Sequence, residues 1–185
     1  MEFTEFFQTI KAPATILHVI SVIFGMGAAL MSDILFSFFS KDKKLNKTEI
    51  FTLSVLANVV LYSLVIIIVS GVLLFFSDIP RYMSSPKFLA KITILCILIV
   101  NGYVLNTYVW PHLLKKGFFV LTKERNLRKL AFVSGAVSVI SWIAVCALGV
   151  LDSLPMSYLF ILSVYCVVII SGSVVALFVE RREFN

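Results

Sequence analysis

The sequence predicts an all-α membrane protein: an up-and-down bundle of five transmembrane helices, N-terminus outside and C-terminus in the cytoplasm. Three observations lead there. Five charge-free apolar runs, Ala12–Ser32, Ile50–Ser77, Ile92–Leu114, Leu130–Leu151 and Ser153–Val179, fill most of the 185 residues. A helix needs about 20 apolar residues to cross the hydrocarbon of a bilayer. Lipid offers no hydrogen bonds to bare backbone, so runs of this length read as helices. The second observation is composition: 60% of residues are hydrophobic and 14% charged, against about 25% charged in soluble domains. The third is the distribution of basic residues among the connections.

Taken in order, the spans are expected at about 13–39, 50–77, 89–114, 130–151 and 155–179, all in one domain over 1–185. Pro13 stands at the start of the first span, where its missing N–H costs nothing. Before it, Phe3, Phe6, Phe7 and Ile10 repeat at helical spacing. Two readings stay open for them, a short amphipathic helix on the outer surface or a disordered tail. The start Met1-Glu2-Phe3-Thr4-Glu5 has no basic region, so no cleavable signal peptide is expected. The segment Asp78–Ala90, with Pro80, Pro86 and Ser84-Ser85, reads as an irregular outer connection. The connection around Asp152 and Pro155 is short, which makes the last two spans antiparallel neighbours.

Orientation follows from charge. Lys41, Lys43, Lys44, Lys47, Lys115, Lys116, Lys123, Arg125, Arg128, Lys129, Arg181 and Arg182 fall on one side, 12 of the 16 basic residues. Lys11, Arg81, Lys87 and Lys91 make up the other 4. The positive-inside rule puts the larger set in the cytoplasm. Aromatics mark the edges: Phe36, Phe38, Phe39, Tyr108 and Trp110 on the inner side, Phe75, Phe76 and Tyr82 on the outer. The net charge of +6 is then a matter of orientation and of anionic headgroups, not of nucleic acid. The lipid bilayer is the expected partner, with a second copy or a membrane-complex subunit left open. A bacterial inner membrane is the expected location. Cys96, Cys146 and Cys166 all lie inside spans and read as packing residues rather than a disulfide framework.

The functional argument rests on polar residues inside the spans. In span 1, His18, Ser21, Gly25, Ala28, Ala29, Ser32 and Asp33 share one stripe. Small residues let membrane helices approach closely, so the stripe is expected to face other helices. Packing explains the small residues but not Asp33. A carboxylate at membrane depth costs several kcal/mol unless paired, hydrated or protonated. Asp33 is therefore a candidate proton or cation site, the alternative being an acid that reaches cytoplasmic water around the helix end. Lys91 should share the outer depth of His18, and Asn106 the inner depth of Asp33. Asn101, Asn106 and Lys91 in span 3, Ser54, Asn58 and Tyr62 in span 2, and Ser134, Ser138 and Ser141 in span 4 complete two polar regions. The outer one centres on His18 and Lys91. The inner one centres on Asp33, Asn58 and Asn106, and these three with Asn101 and Lys91 form the expected substrate- or ion-binding set. Interhelical hydrogen bonding, worth roughly 0.6 kcal/mol each, is the alternative for the serines and asparagines.

The stretch Leu17-His18-Val19-Ile20-Ser21-Val22-Ile23-Phe24-Gly25-Met26-Gly27 resembles the first helix of bacterial inner-membrane families. Among them are the copper-resistance D-type proteins and the J-type protoporphyrinogen oxidases. The resemblance covers about one helix of five. It implies haem b as cofactor, with His18 as its ligand. The other histidine, His112, belongs near the opposite end of span 3 and could not share that haem. No phosphate loop, Cys-x-x-Cys, His-Glu-x-x-His or nucleophile elbow occurs, so no enzymatic reaction is expected from motifs. Three classes of function remain: a small proton- or cation-linked transporter or channel component using Asp33, a haem- or quinone-linked redox protein using His18, and an accessory subunit.

Overall fold

The computed structural model describes residues 3–39, 46–112, 124–151 and 155–184. Among these residues the fold is all helical, and five helices are long and apolar enough to cross a membrane. Helix α1 is Phe3–Phe39, α2 Lys47–Ser77, α3 Ile79–Met83, α4 Pro86–Val104, α5 Arg125–Val150 and α6 Tyr158–Phe184. A π-helical turn, Leu105–Val109, continues α4 toward His112.

The helix limits follow local chemistry. Helix α1 runs through Pro13 without a break. Both readings left open for its start, a separate surface helix and a disordered tail, are therefore corrected: from Phe3 that segment is the first part of α1. Contacts with the end of α2 hold it there. The Phe7 ring packs 5.5 Å from Phe76, and Gln8 Nε2 donates to the Ser77 carbonyl at 2.6 Å. Helix α2 begins with a capping box. Asn46 Oδ1 accepts from Glu49 N at 2.9 Å, and Glu49 Oε2 accepts from Asn46 N at 2.7 Å. The expected irregular connection after α2 is largely helical. Asp78 caps the short α3, Ser85 caps α4, and each helix carries a proline in its first turn. Phe75 stacks on Phe88 at 5.7 Å, and Tyr82 leans on Phe88 at 5.0 Å, so one aromatic group closes this end. Helix α6 carries Arg181 and Arg182 in its last turn, past the limit expected for the last span.

Packing divides the bundle into two parts. Helix α1 lies along α2. Helix α5 packs against α4 and α6, and α4 also touches α6. Several contacts join the parts, among them the Phe75–Phe88 stack and the contacts between α1 and α5. Between them lies an apolar cluster of Ala29, Leu64, Ile67, Leu98 and Trp142, with Val22, Met26, Val60 and Leu95 against it. A second cluster, Ala90, Ile94, Leu148, Ile161 and Tyr165, lies within the three-helix part. A third, Val109 and Ala131 with Phe36, Leu105, Trp110 and Phe184, closes the other end. The outward faces are apolar too: Phe24, Leu61, Val100, Val150, Leu159 and Phe178 are exposed. Such a surface suits lipid as solvent, since monomeric soluble proteins rarely expose so large an apolar patch.

The small-residue stripe of α1 faces inward. Ser21, Gly25, Ala28 and Ala29 are buried. A Cβ on Gly25 would stand 2.6 Å from Trp142 Cη2 and 2.9 Å from Ser63 Cβ. Gly25 is thus the notch into which the Trp142 indole fits. Gly25→Leu is expected to destabilise the bundle by at least the ~1–3 kcal/mol typical of overpacking. Thermal unfolding in detergent checks this; an unchanged midpoint would contradict the close approach.

Candidate functional site

Asp33 lies two turns beyond Gly25 on the inward side of α1. Its carboxylate rests against the backbone of α5: a Cβ on Gly135 would be 3.2 Å from Asp33 Oδ1. The glycine leaves room for the carboxylate that any larger residue would crowd. Asp33 is half-buried. Among the described residues it makes no ion pair and no hydrogen bond. Lys41 and Lys44, the loop lysines that would make it an end-cap, lie outside the described residues.

Beside it, Asn101 Nδ2 of α4 donates to the Ser134 carbonyl at 2.9 Å. Ser134 is buried, and Asn101 is half-buried. That bond ties α4 to α5 one residue before Gly135. Asp33 of α1 and Asn101 of α4 thus reach α5 at adjacent residues, Gly135 and Ser134. The other two asparagines expected there are elsewhere. Asn58 is exposed, because the inward face of α2 is the stripe through Leu53, Leu64, Ile67 and Ser70. Asn106 is exposed because the π turn brings Val109 inward instead. Tyr62, on the Asn58 side, is exposed as well.

The polar region around His18 is a layer of three helices. His18 Nδ1 lies 2.9 Å from Ser70 Oγ of α2. The Ser70 hydroxyl also donates to the Ile66 carbonyl at 2.6 Å. A hydroxyl has one proton to give, so His18 Nδ1–H is the donor to Ser70, and Nε2 keeps its lone pair. Gly71 lies against the ring, where a Cβ would be 3.6 Å from His18 Cε1. Lys91 of α4 is half-buried and close enough for its charge to act at His18. One turn earlier in α4, Lys87 Nζ donates to the Leu151 carbonyl at the end of α5. His112, at the other end of the bundle, bonds the Tyr108 carbonyl at 2.7 Å. His18, through Nε2, is thus the residue that would hold a haem, and the chain's other histidine is placed away from it. Among the described residues no three His, Cys, Asp or Glu side chains come together as a metal site.

An ion pair is the main feature that sequence reasoning missed. Arg128, counted as a loop cation, is buried in α5 and pairs through Nε with Glu180 Oε1 of α6. The Phe184 ring covers the guanidinium, 4.4 Å from Cζ to its centre. Phe132 meets Phe184 edge-on at 6.2 Å. Glu180 Oε2 is sealed from solvent with no hydrogen-bond partner among the described residues. The available signal was positional: Glu180 is the first charge after the last apolar run, a place where acids seldom stand without a partner. Ser141 and Tyr165 supply another buried polar contact, 2.8 Å between hydroxyls, joining α5 to α6.

Comparison with family models, with curated proteins and with solved structures gives no match to this chain.

The buried pair gives a testable asymmetry. Arg128→Met alone strands the Glu180 carboxylate and should cost ~3–5 kcal/mol, whereas Arg128→Met with Glu180→Leu removes both charges and should cost much less. Thermal unfolding of the two variants in detergent decides; equal losses would mean that the pair is not buried as described.

Proposed function

We propose that the chain is a multi-pass protein of a bacterial inner membrane, threaded up and down with its N-terminus outside, and that Asp33 handles protons or cations. The function is that of a small proton- or cation-linked transporter or channel component. One observation carries this reading: the Asp33 carboxylate is packed on Gly135 between helices with no partner among the described residues. An uncompensated carboxylate within an apolar helix is costly, and a site that takes up a proton or a cation offsets that cost. The basic residue distribution supports the orientation. The contrast with Arg128–Glu180 is also informative. That acid has its cation, so it serves the fold, while Asp33 has none among the described residues.

A second reading keeps His18 as a haem ligand, as the first-helix resemblance implies. The observation in its favour is the Ser70 bond, which orients the ring and leaves Nε2 open. Ligating histidines characteristically donate their other ring nitrogen in this way. If bound, haem would supply electron-transfer chemistry; His18 would hold it and Ser70 would set the ring.

Three measurements test these readings. Reporter fusions after Arg182 and near Lys43 should both report cytoplasm, and an outside readout for either would overturn the threading. Asp33→Asn in reconstituted vesicles should abolish proton or cation flux, followed with an entrapped pH dye under an imposed potential, while leaving the melting profile near wild type. Flux at wild-type level would remove Asp33 from the function. Purified protein should show a Soret band lost in His18→Ala if the second reading holds, and no band if the first stands alone.

A further inference from the structure

The outer layer carries an inference that does not use Asp33. The apolar cluster between the two parts contains Val22 of α1, Ile67 of α2 and Leu95 of α4. One helical turn beyond each, toward the outer end, stand His18, Ser70 and Lys91. Three helices thus end their shared apolar contact in one polar layer at common depth. Within it, the imidazole is fixed by Ser70, and Gly71 leaves space beside the ring. The Lys91 ammonium is half-buried and makes no hydrogen bond or ion pair among the described residues. Among the described residues the charge that acts on it is also basic: Lys87, one turn away. Lys87 is already engaged with the Leu151 carbonyl. Among the described residues no carboxylate stands beside this half-buried ammonium, and none of them supplies a counter-charge. Removing such a charge from water is costly unless an anion accompanies it.

We propose that His18, Ser70 and Lys91 form a binding site for a phosphate-type oxyanion carrying one hydroxyl. Lys91 donates to a charged oxygen. His18 Nε2, which retains its lone pair, accepts from the hydroxyl. Ser70 holds the imidazole in that tautomer and makes no contact of its own with the anion. A carboxylate would satisfy Lys91 but leave Nε2 without its donor. Free phosphate and an anionic lipid headgroup bearing hydroxyls share this chemistry.

The experiment is a thermal unfolding series on the full chain. In uncharged detergent, inorganic phosphate is titrated against chloride at matched ionic strength. In parallel, phosphatidylcholine nanodiscs with and without phosphatidylglycerol are compared. The wild type should be stabilised by phosphate over chloride, by phosphatidylglycerol over phosphatidylcholine, or by both. A response to phosphate alone assigns a free oxyanion, and a response to the lipid alone assigns a headgroup. Lys91→Gln should weaken the response about tenfold or more, the scale of one charged hydrogen bond. Lys91→Arg should keep most of it, and Lys47→Gln, at the exposed start of α2, should keep all. His18→Gln provides a second route should Lys91→Gln fail to fold. A wild type that responds to neither probe, or a Lys91→Gln variant that responds as the wild type does, overturns the site.

Discussion

The close approach at Gly25 governs the rest of the bundle. Without water between helices, apolar surface gains nothing by hiding from solvent, and helices associate by fit. Here the fit is a glycine notch on α1 and an indole on α5. The same two helices meet again, with roles exchanged, where Gly135 on α5 receives Asp33 of α1. Going from Gly25 to Asp33 moves up the chain in α1, while going from Trp142 to Gly135 moves down it in α5. Each step is about two helical turns, so the two contacts share one register. A shift of α1 by one turn would put Trp142 against a larger residue and pull Asp33 off its glycine. Shape complementarity at an apolar position thereby fixes a polar side chain ~12 Å away.

The charges divide by what surrounds them. Arg128 and Glu180 lie across α5 and α6 under an aromatic cover, and their attraction binds two neighbouring helices. Burying such a pair adds little net stability, but losing one member is damaging. It therefore specifies the pairing of α5 and α6 more than it strengthens it. The tie from Asn101 to the Ser134 carbonyl does the same for α4 and α5 with neutral groups. Asp33 and Lys91 stand apart from this set, because no described side chain answers their charge.

The five helices were legible because length and hydrophobicity alone decide them: each apolar run lies within, or overlaps most of, one long helix. The inward face of α1 was legible for a related reason, since glycine, alanine and serine at helical spacing mark close packing. Faces of the other helices were harder. In α2 the polar stripe of Ser54, Asn58 and Tyr62 suggested an interior that the structure assigns to Leu53, Leu64 and Ile67. Polarity misled there because a membrane helix is apolar all round, and its hydrophobic pattern no longer tells inside from outside. Asn106 was missed for a different reason. A π turn resets helical phase, and nothing in Leu105–Val109 announces it. The start of α1 before Pro13 is held by a ring far along the chain, Phe76, whereas the short α3 is set by its own Asp78 cap and by the nearby rings of Phe75 and Phe88. The partners Ser70 for His18, Gly135 for Asp33 and Glu180 for Arg128 are likewise long-range, and spacing within one helix cannot reveal them.

The division into a two-helix part and a three-helix part has a mechanical side. Both groups whose charge no described side chain answers lie on the seam. Asp33 belongs to the hairpin of α1 and α2 but rests on α5. Lys91 belongs to the trio but sits by His18 of the hairpin. The fixed polar ties that hold α4, α5 and α6 together, Asn101 to Ser134, Ser141 to Tyr165 and Arg128 to Glu180, all lie within the trio. What crosses the seam is mostly apolar and notch-like, which blocks sliding along the helices and leaves a small rocking about the notch as the freer motion. A few degrees of rocking between the two bodies would open one end of the seam as it closes the other. The surroundings of Asp33 and of Lys91 would then change in opposite senses, in a single motion, with no helix broken and no ion pair undone.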